Sequence, residues 1–421
     1  MWEKIISLLV LGYLSMSRSF AYIGIPSLKI FVGEIVLGSF LIAKPQMLVG
    51  RLTYLLINRN NLGIYGWIYT IFLSIGIIEV LRGIYFNYNF VTILQNFVFN
   101  YYPLYIFVGL AIAIQDYNIL PRIIRMLAWF NGIYGLSYIL FLDEINIIMP
   151  GSTDVPIFGG PAGSALAIIG LLSFEKEITK KITFLLLINA FVLLGMQMRS
   201  EWLGFLLGLI IWGIITKRFG RVIGGGFIVL FILGFMLLMD INIPAPEERG
   251  GNISTRDIIG RALAGINPEL AMQFTSRADV YAGTISWRKE WWQAIWQSVN
   301  NDTITFFIGH GYGFNLHELV PYLENLAIRS PHNIFFYVLG YSGIIGILTF
   351  YAFIFYLLRL LIRSYKITRN PFGIIYWVMG TEMTHFGNYL ETPFCAIPFY
   401  LIIGMSLAPL YKWNPNRTSL N

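Results

Sequence analysis

The sequence predicts an all-α integral membrane protein, and three observations carry that prediction. Of 421 residues, 57% are hydrophobic and only 12% charged, with a mean hydropathy of +0.67. A soluble domain carries about 25% charged residues, so this chain cannot cover a water-exposed surface with charge. Runs such as 222–239 and 334–358 are almost continuously apolar rather than alternating, which excludes a β-barrel. The 29 basic and 22 acidic residues complete the argument, because most of the basic ones fall in short clusters between apolar runs. They report membrane topology and a bilayer partner, and not nucleic acid.

Taken in order, the apolar runs give about twelve spans, most of them near the roughly 20 residues a crossing helix requires and the first one short. They lie near 5–17, 22–43, 63–81, 92–114, 126–142, 161–174, 182–198, 201–216, 222–239, 333–361, 372–389 and 394–411. The first has the length of a signal-peptide core, yet a second apolar run follows at once without a convincing cleavage site, so it is read as a span. Every second connection is basic, with Lys44, Arg51 and Arg59 in one, Lys176, Lys180 and Lys181 in another, and Lys412 and Arg417 at the end. These connections are cytoplasmic by the positive-inside rule, and so are both termini. The alternate connections face outward. One of them, residues 240–332, is far too long for a tight turn and is read as a partly helical outer domain. The expected organisation is therefore 1–239 as helices 1–9, 240–332 as the loop domain, and 333–421 as helices 10–12 with a short tail. Cys395, the single cysteine, rules out an intrachain disulfide and a Cys-based metal site.

Three residues on the outward face attract chemistry. Arg199 sits in a very short outer turn, against the positive-inside tendency, and reads either as a snorkelling arginine paired with Glu201 or as an anion-binding group. Arg288 lies among tryptophans with helical spacing, 287/291 and 292/296, which suit an interfacial belt or stacking on sugar rings. Arg256, Arg261 and Arg277 compete with it as cations. His332 follows Ser330 and Pro331, which read as N-cap and first helical residue, so the ring would stand in a first turn whose positive end keeps imidazole neutral. The Gly309-His310-Gly311-Tyr312-Gly313 run is a glycine turn that could offer amides to a phosphate. Glu382 and His385 share a face of the eleventh span, which reads as a hydrogen-bonded pair inside the bundle ahead of a metal site. No metal-ligand cluster and no nucleotide-binding loop is evident, so neither a metal nor another cofactor is expected.

From His332 the sequence reads His, Asn, nine residues, then Gly343-Ile344-Ile345-Gly346. This matches the H-[NSQ]-x9-G-x-x-[GTY] signature of bacterial O-antigen ligases, and Arg199-x3-Leu203 matches their R-x3-L motif. The stretch from Arg288 and Trp292 to the glycine run resembles the segment before that histidine in the wider O-antigen ligase and polymerase family. Twelve spans with one large loop before the last three also resemble this family's GT-C-type fold.

The resemblance implies a membrane glycosyltransferase of the bacterial inner membrane, acting on its periplasmic side. It implies transfer of a glycan from undecaprenyl diphosphate without metal and with inversion, onto lipid A–core in the ligase branch or onto another carrier-linked glycan in the polymerase branch. His332, Arg288 and Arg199 are the implied catalytic residues. Asn333, His310, Tyr312 and Trp292 join the two arginines as substrate-binding candidates. The ligase reading stands first and the polymerase second. A lipid-linked-sugar transporter ranks below both, because polar residues such as Lys29, Glu34, Glu382 and His385 form no evident repeat.

Overall fold

The computed structural model describes residues 1–45, 63–145, 147–148, 155–160, 162–246, 250–321 and 330–412. Arg51, Arg59 and Arg417, and parts of the expected loop domain at 247–249 and 322–329, lie outside the described residues.

The fold is predominantly helical. In chain order the helices are α1 (Trp2–Met16), α2 (Arg18–Ala21), α3 (Val32–Ala43), α4 (Gly63–Tyr85), α5 (Phe90–Tyr101), α6 (Tyr105–Gln115), α7 (Ile119–Ser137), α8 (Ala162–Phe174), α9 (Lys180–Gly195) and α10 (Arg199–Thr216). They continue with α11 (Phe219–Leu238), α12 (Thr255–Leu263), α13 (Pro268–Met272), α14 (Ala278–Asn300), α15 (Thr303–Ile308), α16 (Ile334–Thr368), α17 (Phe372–Phe386), α18 (Pro393–Ser406) and α19 (Ala408–Lys412). Among the described residues, seven helical stretches are long and apolar enough to cross a membrane: 67–85, 90–115, 119–142, 199–216, 219–238, 334–368 and 393–411. The other expected spans correspond to shorter helices such as α1, α3, α8, α9 and α17.

The second expected span changes most. Only Val32–Ala43 of 22–43 is α-helical, because Pro26 and a left-handed Lys29 (φ 53°) interrupt the run before it. Glu34 then accepts hydrogen bonds from the Phe31 amide (3.1 Å) and from the hydroxyls of Tyr101 (3.1 Å) and Tyr102 (2.8 Å). The residue that looked like an intramembrane charge is thus a helix-start anchor.

The chain forms two compact units. The first comprises Met1–Pro26, Ile119–Trp287 and Asn370–Met383, and the second Ser27–Asn118, Arg288–Arg369 and Thr384–Asn421. The division falls within α14, so the 240–332 stretch contributes to both.

In the first unit α7, α8 and α9 are joined by buried amides. Asn131 donates to Ser164 Oγ (2.6 Å) and to Asn189 Oδ1 (3.2 Å), and Asn189 donates to the Ala128 carbonyl (2.9 Å). Between apolar helices in lipid, such interhelical bonds fix register where hydrophobicity cannot. Tyr138, Ile139, Val192, Met196 and Ile253 pack beside them, and two short antiparallel strands pair Ile243 with Ile253. On α11, Phe227, Leu230 and Phe231 are exposed, as a lipid-facing surface requires.

In the second unit, Phe72 stacks on Phe353 (5.2 Å between centroids), with Phe99 and Phe350 around them. The long apolar run of α16 is broken at Gly343, whose φ of 59° is left-handed. A Cβ there would stand 2.5 Å from the backbone of Phe307 and Ile308, so the glycine lets the end of α15 touch α16 directly.

Candidate functional site

His332 ends the connection into α16, and the structure moves the helix start. Asn333 is the N-cap, its Oδ1 accepting from the Phe335 amide (2.9 Å), so His332 precedes the helix instead of standing in its first turn. The expected cap at Ser330, with Pro331 as first helical residue, is thereby corrected. His332 itself is left-handed at φ 54°, a conformation costing a non-glycine residue about 1–3 kcal/mol unless its surroundings impose it.

The surroundings do impose it. Trp292 Nε1 donates to the Pro331 carbonyl (2.7 Å) and its indole stacks on Phe336 (5.4 Å, 8° between planes). Asn333 Nδ2 donates to the His385 carbonyl (2.9 Å), while the His332 amide donates to Ser330 Oγ (3.2 Å). Ser330 in turn donates to Glu391 Oε2. Each of these grips comes from the second unit, and together they hold the histidine's backbone from both sides.

Burial, followed by the charge of Arg288, lowers the His332 pKa from its ordinary value to about 3. The ring is therefore neutral across the physiological range, as the sequence suggested, but from desolvation and a cation rather than from the helix dipole. Arg288 donates from Nη1 to the Phe386 carbonyl (3.1 Å). Its guanidinium and a neutral imidazole thus act on one another, the combination needed where an anion and a hydroxyl proton are handled together.

Trp291, on the same helix as Arg288 and Trp292, is wholly buried and donates to the Leu316 carbonyl (2.7 Å). Of the four tryptophans on α14 only Trp296 is strongly exposed, so this helix is not a simple interfacial belt.

The glycine run is an ordinary turn, the default reading of such a run, and its amides are committed to the fold. The His310, Gly311, Tyr312 and Gly313 amides donate to Gly340 O (2.9 Å), Tyr341 O (2.9 Å), Glu79 O (3.3 Å) and Asn96 Oδ1 (3.0 Å). Four consecutive donors are engaged, fastening the turn to α4, α5 and α16. The Tyr312 hydroxyl is bonded to Asn100, and Arg82 donates to the Ile308 and Gly309 carbonyls. His310 stacks on Phe314 (4.2 Å), its Nε2 lies 2.8 Å from Ser298 Oγ, and burial lowers its pKa. These contacts give His310 and Tyr312 a structural duty.

Arg199 belongs to the first unit, at the start of α10. Its Nη2 donates to Tyr281 O (3.0 Å) and Thr284 Oγ1 (2.7 Å), and its Nη1 lies 3.5 Å from Arg261 O. No ion pair to Glu201 forms, which corrects the snorkelling pair. Arg261 lies over the Tyr281 ring (3.9 Å) and donates to Gln197 O and Gly250 O, so it is a structural cation. Glu382 and His385 do not form the expected pair: His385 Nε2 meets the Tyr351 hydroxyl (2.7 Å), and the Glu382 carboxyl lies against Gly204 of α10. Among the described residues, no group of three or more His, Cys, Asp or Glu could hold a metal ion.

Glu391 is the residue sequence reading missed. It lies in the 387–392 turn between α17 and α18, 9% exposed, and burial raises its pKa to about 8. A signal existed, since the connection between the expected spans 372–389 and 394–411 alternates to the same outward side as the 240–332 connection that ends at His332.

Residues 183–351 match the family described as O-Antigen ligase. The match spans Arg199, Arg288, His332 and Gly343, and it bears out the resemblance to the O-antigen ligase and polymerase family. An O-antigen ligase or polymerase type of glycosyl-transferring activity, in a membrane protein with lipid-linked glycan and acceptor partners, follows in general terms. No curated protein matches the chain.

Proposed function

We propose that this protein transfers a glycan from undecaprenyl diphosphate to an acceptor hydroxyl at the periplasmic face of the bacterial inner membrane, as in ligation of O-antigen to lipid A–core. The observation that carries the proposal is a neutral His332 held in a left-handed turn beside Arg288.

The acceptor oxygen attacks the anomeric carbon and forms the new glycosidic bond. The bond from that carbon to the diphosphate oxygen breaks, and the leaving carrier diphosphate takes the electron pair. The acceptor proton passes to a His332 ring nitrogen, a role that a neutral imidazole can fill and an imidazolium cannot. Attack opposite the leaving group inverts the anomeric centre. Arg288 supplies donors to phosphate oxygens and stabilises the charge that develops there, work that a divalent cation does in many other transferases. Arg199, whose Nη2 already donates to Tyr281 O and Thr284 Oγ1, enters as a cationic group and not as a bidentate fork.

The test uses purified full-length protein with a carrier-linked glycan and either lipid A–core or a second carrier-linked glycan as acceptor, the products being resolved by size. Product on lipid A–core supports ligation, and lengthened carrier-linked glycan assigns the polymerase branch instead. His332→Ala is expected to lower turnover by about 10²- to 10⁴-fold while carrier binding persists. Near-normal turnover would remove His332 from the chemistry, and carrier-linked sugar moved across vesicles without transfer would make the protein a transporter.

A further inference from the structure

The strained backbone at His332 raises the question of which group aims it. Trp292 and Asn333 grip the residues on either side. The His332 amide itself is held by Ser330 Oγ, at 3.2 Å. A serine hydroxyl has one proton and two lone pairs, and it turns freely unless the proton is directed. Here the proton goes to Glu391 Oε2, which turns the lone pairs of Ser330 toward the histidine amide.

Glu391 is otherwise an expensive residue to keep. It is buried, its Oε1 makes no hydrogen bond among the described residues, and its amide closes a local turn onto Asn388 O (3.3 Å). A buried carboxyl oxygen without a partner is destabilising, because it has given up its water without a replacement. An apolar residue of similar volume would avoid that cost.

Resting on the glycosyl-transfer reading above, we propose that Glu391 is a positioning residue for His332, acting through the Ser330 hydroxyl. It sets the left-handed turn so that the imidazole meets the acceptor hydroxyl. Its raised pKa fits this duty, because a neutral carboxylic acid accepts from Ser330 without placing a second charge beside the base. The side chain then needs only an acceptor oxygen in the right place, which glutamine also provides.

The experiment measures kcat and KM for carrier-linked glycan with purified full-length Glu391→Gln, Glu391→Ala, Ser330→Ala and the double alanine variant, with His332→Ala as reference and thermal unfolding recorded for each. Misaiming a catalytic group by about 1 Å costs roughly 100-fold, so Glu391→Ala and Ser330→Ala should each lower kcat by about 10- to 100-fold, with donor KM within about 2-fold. Glu391→Gln should stay within about 3-fold of wild type, and the double variant should fall no further than the worse single one, as expected of two residues in one chain of contacts.

Ser330→Ala tests the same link should Glu391→Ala fail to fold. The proposal is overturned if Glu391→Ala keeps normal kcat, if glutamine is as damaging as alanine, if the two alanine effects multiply, or if KM rises in step with the loss of kcat. A normal Glu391→Ala beside an inactive His332→Ala defeats this proposal alone. A fully active His332→Ala defeats the reading on which it rests.

Discussion

The lowered pKa of His332 makes a prediction about how the free and the loaded enzyme differ. In the free protein, burial and Arg288 hold the ring near 3, too low for an efficient base at neutral pH. Donor binding changes that balance. One negative charge about 6 Å from the ring, at an effective dielectric of about 20, favours the protonated form by roughly 2.8 kcal/mol, which raises the pKa by about 2 units. A diphosphate carrying two such charges raises it by about 4. The base is therefore weak until its substrate arrives, and then lies between about 5 and 7.

The assay is initial-rate transfer from carrier-linked glycan between about pH 4 and 8, at limiting and at saturating donor. The profile of kcat/KM reports the free enzyme and should show no His332 limb between about pH 4 and 7, whereas kcat should fall on the acid side with a midpoint between about 5 and 7. Coincident acid limbs, or a kcat/KM limb near the ordinary histidine value, would refute the reasoning. Stability follows the same group. The unfolded chain takes up a proton below the ordinary value of 6.5 that the folded chain refuses until about 3, so His332 costs stability as pH falls through that window.

Three further outcomes are expected. Arg288→Lys keeps the charge but loses the bidentate fork, so it should lower transfer by about 10- to 100-fold, and alanine should lower it further; normal transfer by the lysine variant would remove the fork from the mechanism. Transfer should survive EDTA, and loss of activity restored by Mg²⁺ or Mn²⁺ would overturn the arginine-only account. Gly343→Ala should lower the thermal midpoint by several degrees, because it places a Cβ 2.5 Å from the α15 backbone at a left-handed position, whereas Gly220→Ala, with nothing within 4 Å, should not; equal midpoints would show that the break in α16 tolerates a side chain.

Much of the helical fold was legible because apolar runs in lipid have few alternatives to a helix. The run from 334 and the runs at 199–216 and 219–238 sit close to where composition put them. The failures are local. Residues 22–31 are apolar enough to suggest a span, yet Pro26 and the left-handed Lys29 decide their conformation. Ser330-Pro331 looks like a better helix start than Asn333, but Ser330 directs its hydroxyl to Glu391, and Asn333 is left to cap the helix. Hydropathy cannot see that choice, because it depends on a residue supplied by a distant turn.

The candidate site was legible in its reactive groups and not in its supports. His332 and Arg288 stand out in sequence because a titratable ring and a cation at the edges of apolar runs need a reason. The groups that hold His332 are ordinary by composition: an indole donating to a carbonyl, an asparagine bridging to the His385 carbonyl, and a glutamate accepting a hydrogen bond from a serine hydroxyl. The glycine run shows the converse, since its sequence allowed an amide cradle and its amides are spent on a fastening. A turn whose four amides are all engaged cannot also cradle a phosphate without giving up its hold on α4, α5 and α16. Function in this protein therefore depends on which polar groups the fold has already committed to its own scaffold, a quantity that no single stretch of sequence contains.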